Sequence, residues 1–333
     1  MARRKRLKVN GGIFHLMSRT VDGEFLFEDV QKEQVRKMIG VVAEFSGVEL
    51  LTYCVMSNHF HLLVRVPDGS KIVLSDEELV RRYRLLHAAS EGKRKKGKAV
   101  KFAPDTPEQV EVCLQNGGAD AQILRDRLRA RMYDVSEFMK TLKQRISIWY
   151  NATHDRYGPL WCDRFKSVLV EGRKEVLLVM AAYIDLNPVR AGLVRDPKQY
   201  RFCGYAEALA GNEVLREGLR QVTGVTVAMG DWKVVLAEYR KLLWSAGGGA
   251  KAGKRRLEPQ EVRLLLERGG GELGAFELLR HRLSYLVNGA MLGSESWVMA
   301  RMASLGEDRS GEGSGKVKKL AGFGFVAGKR CRS

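Results

Sequence analysis

Residues 48–56 (VELLTYCVM) and 59–66 (HFHLLVRV) are two largely apolar runs separated by Ser57 and Asn58 alone. A gap that short leaves room only for a tight turn, so the two are expected to pair as antiparallel strands, ended by Pro67-Asp68-Gly69. The neighbouring segments build on this hairpin. Residues 13–19 (IFHLMSR), bounded by Gly11-Gly12, are consistent with a strand. Residues 28–46 carry Val35, Met38, Ile39, Val42 and Phe45 on a helical stripe, which Gly47 should stop.

Further along, Val135, Phe138, Met139, Leu142, Ile146 and Trp149 trace one helical face over 134–150, with Asp134 as its cap. Residues 165–171 (FKSVLVE) alternate like a strand, and 173–186 read as a helix ended by Pro188. The order strand, helix, strand, strand, helix, strand, helix predicts an α+β domain. Its antiparallel sheet should have about four to five strands with helices packed on it, related to the ferredoxin-like pattern.

Residues 68–130 differ in character. They hold a charged helix-like stretch at 75–90, the basic run 93–101 (KRKKGKAVK) and a polar linker with Pro104, Pro107 and Gly117-Gly118. They read as an insertion, partly helical with a mobile middle. The expected organisation is therefore a domain over 1–205 containing that insertion, a helical extension over 206–245, a small helical C-terminal unit over 246–303, and a disordered basic tail over 304–333.

Charge narrows the partner. Lys and Arg number 57 against 39 Asp and Glu, a net charge of +18. The longest apolar run, 176–184, is nine residues, far short of the ~20 a membrane span needs. The start MARRKRLKVN has no apolar stretch behind it, so no secretory signal is expected. Five scattered cysteines without a CxxC pair fit a reducing cytoplasm rather than a disulfide framework or a thiolate zinc site. A basic chain of this kind implies a polyanion, with nucleic acid first among them.

The sharpest local feature is Asn58-His59-Phe60-His61. Residues two apart on a strand share a face, so His59 and His61 should project together while Phe60 enters the opposite layer. Two imidazoles on one strand are half of a divalent-metal site, or two half-exposed histidines on a sheet surface. Tyr183 and Asn187, four apart on a helix, should stand one above the other. Tyr183 also reads as a core aromatic within its apolar run.

Three segments together resemble a known family. Residues 53–64 (YCVMSNHFHLLV) are similar to the His-hydrophobic-His segment of the single-tyrosine HUH transposases. Residues 158–166 (GPLWCDRFK) with 183–194 (YIDLNPVRAGLV) resemble the branch called REP-associated tyrosine transposases. The resemblance covers roughly 1–68 and 131–205. Ser57 departs from it, standing where a proline commonly precedes the Asn-His pair, as do the insertion and everything after about 245.

The resemblance implies a ferredoxin-like HUH nuclease fold in which His59, His61 and Asn187 hold Mg²⁺ or Mn²⁺. Two nitrogens and an oxygen leave positions for phosphate and water. Tyr183 would be the nucleophile, forming a 5′-phosphotyrosine link and freeing a 3′-hydroxyl. Phenols are weak nucleophiles near neutral pH, so the ion's Lewis acidity is part of that expectation. The substrate would be single-stranded DNA with hairpins, repetitive palindromic elements among them. DNA contacts are expected from Arg3, Arg4, Lys5 and Arg6, from Lys93, Arg94, Lys95 and Lys96, and from Arg164, Lys166 and Arg190. The protein would be cytoplasmic and nucleoid-associated, a monomer or homodimer.

The alternatives are a domesticated hairpin-binding protein that does not cut, a replication initiator or relaxase, and an RNA-binding sheet module. The initiators carry larger additions than are seen here, and the stacking signature of the RNA modules is absent. Residues 282–302 (RLSYLVNGAMLGSESWVMARM) resemble a segment appended to larger members of the same branch. It reads equally as a DNA-binding module or as a packing appendage.

Overall fold

The computed structural model of the chain describes residues 9, 11–88, 106–225, 231–247, 286–287, 290–306, 317–320 and 325–328. Strand β1 (Gly12–Arg19) leads to helix α1 (Asp29–Ser46), which opens on a capping box between Glu28 and Gln31. It stops at Gly47, whose φ of +64° is left-handed and would strain any residue with a Cβ. Strands β2 (Glu49–Val55) and β3 (His59–Val66) form the expected hairpin, closed by the Met56 N–H donating to the His59 carbonyl at 2.8 Å.

The described parts of the insertion, 68–88 and 106–130, are more helical than their composition indicates. Helices α2 (Asp76–Ala88), α3 (Pro107–Asn116) and α4 (Gly118–Arg129) pack on one another, and α2 also packs on α1. Leu79, Val80, Tyr83, Leu86, Val110, Leu114, Leu124 and Leu128 are buried there. Arg125 grips Asp76 in a two-pronged ion pair (2.8 and 2.7 Å), tying α4 to the start of α2. The middle expected to be mobile, with the whole of the basic run 93–101, lies outside the described residues.

Helix α5 (Val135–Thr153) is capped by Asp134, which accepts from the N–H groups of Ser136 and Glu137. Strand β4 (Lys166–Val170) and helices α6 (Lys174–Asp185), α7 (Asn187–Arg190), α8 (Gly204–Leu209), α9 (Glu213–Thr223) and α10 (Trp232–Gly247) follow. β1 lies between β3 and β4, antiparallel to both. Met17 stands opposite His61 on one side and Lys166 on the other; His15 stands opposite Leu63 and Val168. The sheet separates two helical layers. Phe60 meets Trp161 on the side of α5, while α6, α8 and α9 pack on the other face. Gly218 of α9 lies so close to the Leu50 and Leu51 carbonyls that a Cβ would not fit, which brings that helix hard against β2.

The C-terminal part departs from expectation. Its described residues contribute strands to the same sheet as well as a helix, whereas a small helical unit and a disordered tail were expected; most of 246–303 lies outside the described residues. β5 (Met291–Gly293) pairs parallel with β4, and β7 (Phe325–Gly328) joins β5 to β6 (Val317–Leu320). Among the described residues the order is β2-β3-β1-β4-β5-β7-β6, the expected α+β sheet with seven strands where four to five were expected, antiparallel except at β4–β5. The physical reason lies in β4. Val168, Leu169 and Val170 are all buried, and as an edge it would leave backbone groups unpaired in an apolar setting. β5 pairs them: Leu169 N–H donates to the Ala290 carbonyl and Glu171 N–H to the Leu292 carbonyl, each at 2.9 Å. Helix α11 (Glu295–Gly306) follows β5 directly and packs against it. Among the described residues no helix is long and apolar enough to cross a membrane.

Candidate active site

Alternation along β3 sends Phe60 into the α5 layer and brings His59 and His61 together on the other face, ring centroids 5.1 Å apart. Both are buried. The hydrogen bonds around His59 fix its tautomer. Asn58 donates from Nδ2 to the Gly23 carbonyl at 2.8 Å, so its Oδ1 must be the acceptor facing His59 Nδ1 at 2.6 Å. His59 therefore carries a proton on Nδ1 and, when neutral, its lone pair on Nε2.

Tyr183 comes from the last turn of α6. Its ring lies 6.0 Å from that of His61 and 6.1 Å from that of His15, edge-on to each. Of the other tyrosines that invite comparison, Tyr150 stacks on His154 in the α5 layer, and Tyr157 is 89% exposed. Only Tyr183 of the three sits with the histidine pair. It is 2% exposed, and the Arg190 guanidinium lies 4.3 Å from its ring centre.

Pro188 shapes the end of this helix. It has no N–H for the Ile184 carbonyl, and the Asn187 side chain takes its part, donating from Nδ2 to the carbonyls of Tyr183 and Ile184 at 3.1 Å each. With the amide nitrogen so engaged, Oδ1 is the atom Asn187 can offer to a ligand. Asp185, between them, is fully buried and accepts from Thr52 Oγ1 (2.9 Å), Tyr205 N–H (3.3 Å) and Tyr239 Oη (2.5 Å). Burial pushes its carboxyl up to about 7 against these bonds.

His15, to which the sequence attached no role, is part of this cluster. Its Nε2 lies 2.8 Å from His61 Nδ1, and its Nδ1 lies 2.8 Å from the Leu286 carbonyl. Burial lowers its pKa to about 4, so the ring is neutral near pH 7. The signal was present but non-local: His15 and Met17 share a face of β1, and Met17 is the residue paired with His61. Thr52, Asp185 and Tyr239 were missed for the same reason, since their meeting joins three distant segments.

The expected DNA-contacting residues divide. Arg3, Arg4, Lys5, Arg6, Lys93, Arg94, Lys95 and Lys96 lie outside the described residues. Arg164 and Lys166 are exposed at the entry to β4. Lys166 shares the histidine face with Arg19, which stands opposite His59. Partial burial, and then the nearby Arg19, lower the Lys166 pKa. Two cations held near each other beside the histidines favour an anion there. Arg190 differs from expectation. It is buried, and it donates to the Tyr183 carbonyl as well as covering the ring, because the short α7 turns it back onto α6.

Among the described residues no group of three or more His, Cys, Asp and Glu is disposed to hold a metal ion. What the fold does assemble is a pair of imidazoles on a buried strand, with a tyrosine against them and an amide oxygen one helical turn further on. An α+β sheet bearing such a strand-borne histidine pair is the class this chain defines. Residues 8–86, which contain both histidines, match the family model described as "Transposase IS200 like". The solved structure described as "Structure of the REP associates tyrosine transposase bound to a REP hairpin" is 15% identical, with 63% of this chain and 87% of that chain covered and a TM-score of 0.37. No curated protein matches.

Proposed function

We propose that this chain is a DNA transposase that nicks and rejoins single-stranded, hairpin-bearing DNA through a 5′-phosphotyrosine intermediate. The observation that carries the reading is the Tyr183 ring 6.0 Å from His61, on the face His61 shares with His59. The tautomer of His59 supports it, since a lone pair on Nε2 is what a metal-binding imidazole needs. His59 and His61, with Asn187 through Oδ1, would hold a divalent ion, Mg²⁺ or Mn²⁺. Bound there, such an ion would supply Lewis acidity toward a phosphoryl oxygen.

The chain's own groups do the rest. The Tyr183 oxygen attacks the scissile phosphorus, the Oη–P bond forms as the P–O3′ bond breaks, and the 3′-oxygen leaves to become a hydroxyl. Rejoining reverses these roles with an incoming 3′-hydroxyl, so the phosphodiester's energy is conserved and no nucleotide cofactor is needed. Arg19, Arg164 and Lys166 would take the flanking phosphates.

The burial of Tyr183 beneath Arg190 favours a second reading, a hairpin-binding protein that does not cut. Incubating the chain with a 5′- and 3′-labelled single-stranded hairpin oligonucleotide, with Mn²⁺ or with EDTA, separates the two. A denaturation-resistant adduct on the 5′-phosphate side, formed only with the ion, is the expected result. Hairpin binding without any adduct or nick would leave the second reading standing and the first refuted.

A further inference from the structure

We propose that His15 is a positioning residue that locks His61 into the Nδ1–H tautomer, and that the C-terminal segment anchors the lock through the Leu286 carbonyl. The inference rests on the reading of His61 as a metal ligand. It adds the question of what prepares that ligand and why the segment after residue 245 is attached to this sheet.

A carbonyl oxygen only accepts, so His15 Nδ1, 2.8 Å from the Leu286 oxygen, must carry a proton. His15 is 1% exposed, and burial favours the neutral ring. Its Nε2 is then the acceptor. His61 Nδ1 at 2.8 Å must be the donor, and the His61 lone pair falls on Nε2. The ring centroids are 5.0 Å apart with 19° between planes, the side-by-side arrangement an in-plane N–H···N bond requires. Left to itself a neutral imidazole has two tautomers to choose from; here one is selected, and it matches that of His59.

The carbonyl at the far end of this relay is itself held. A few residues on, Ala290 and Leu292 accept from β4, and Glu171 at the end of β4 accepts from Ser294 N–H (2.5 Å) and Oγ (2.9 Å). Gly293 makes the approach possible, because a Cβ there would meet Glu171 and Trp297. The described part of the motif at 282–302 thereby acquires a role in the site: residues 290–294 dock on β4, and Leu286 supplies an acceptor to β1, which His15 passes to β3.

Two substitutions in the full chain separate this role from packing. His15→Gln keeps an acceptor for His61 and a donor for Leu286; His15→Phe fills the space and keeps neither. Long-range ¹H–¹⁵N spectra of ¹⁵N-histidine-labelled protein report the His61 tautomer, and Mn²⁺ titration without DNA reports affinity. The parent and His15→Gln should show Nδ1–H at His61 and bind Mn²⁺ within a few-fold of each other. His15→Phe should lose that signature and bind roughly 10- to 100-fold more weakly, the usual effect of removing such a partner. The proposal is overturned if the parent carries Nε2–H at His61, or if folded His15→Phe binds Mn²⁺ as the parent does while His61→Ala does not. If His61→Ala also binds like the parent, the metal reading is what fails, and the spectra still decide the tautomer. Should His15→Phe not fold, the parent and His15→Gln spectra remain decisive.

Discussion

The two halves of the candidate site are held by different means. His59 and His61 sit on β3, an interior strand paired on both sides, and their direction follows from the pleat and from hydrogen bonds to Asn58 and His15. Tyr183 and Asn187 sit at a helix end broken by Pro188, and their position depends on Asp185 of the same helix and on Thr52, Tyr239 and Arg190, which arrive from β2, α10 and α7. The strand half is pre-formed by backbone geometry. The helix half is assembled by side chains and can be loosened without touching the sheet. If that contrast is right, the halves should fail separately.

The largest effects should come from the reacting groups. Tyr183→Phe removes one oxygen and should abolish the covalent adduct, a loss of roughly 10³-fold or more in cleavage, while Mn²⁺ and hairpin affinity stay within a few-fold. His59→Ala should reduce cleavage comparably but weaken Mn²⁺ binding as well. Single-turnover cleavage beside Mn²⁺ titration tests the split. A Tyr183→Phe chain that still forms an adduct would move the nucleophile to another tyrosine and undo the assignment of the helix half.

A smaller effect should appear at Asp185. Asp185→Ala leaves the Thr52 and Tyr239 hydroxyls buried without their acceptor, at a cost of about 1–3 kcal/mol each, and should slow cleavage without changing Mn²⁺ affinity. Asp185→Asn mimics the protonated carboxyl and should be tolerated. Its pH dependence carries a definite sign. The folded-state pKa is raised from 3.8 to about 7, so between those values the folded chain binds the extra proton. Stability then falls as pH rises through that window, by up to a few kcal/mol. The depressed His15 pKa, about 4 against 6.5, acts oppositely between pH 4 and 6.5, because there the unfolded chain binds the extra proton. Denaturant unfolding of parent and Asp185→Asn across pH 4–8 isolates the first contribution, since His15 is common to both. Parallel curves would mean Asp185 stays ionised in the fold.

The same contrast explains how much could be read in advance. Period-two alternation and a two-residue turn are local, so the hairpin, the histidine face and Phe60 in the opposite layer were all legible from residues 48–66. The helix stripe and its cap at Asp134 were legible for the same reason. What escaped were contacts whose partners lie far apart in the chain. His15 to Leu286 spans 271 residues and Thr52 to Asp185 spans 133, and no periodicity records either. The C-terminal strands were missed because β5 is only three residues long and its pairing answers a need of β4, not a pattern of its own. Arg190 was expected to contact DNA because it lies in the 183–194 segment that carries the resemblance. Its guanidinium instead covers an aromatic ring and donates to a helix carbonyl, which lets a charge be buried.

The smallest expected effect concerns charge that sits on neither half. Arg19 and Lys166 lie on the histidine face, whereas Lys93, Arg94, Lys95 and Lys96 belong to the insertion between β3 and α5. Phosphate contacts release counterions, so each contact adds about −0.7 to the slope of log affinity against log salt for a single strand. If the four insertion residues touch the backbone, neutralising them should flatten that slope by up to about 3 and weaken all single strands alike. The cleavage position should not move, because it is set at the tyrosine. Neutralising Arg19 and Lys166 should flatten the slope by only about 1.4, yet lower cleavage of bound DNA, because on the proposed reading these two would act beside the scissile phosphate. Salt titrations of both variants, each with cleavage measured at saturating DNA, test the distinction. A fourfold variant with the parent's slope would remove the insertion from the DNA-binding surface, and a double variant that cuts bound DNA at the parent's rate would remove the rim from the chemistry.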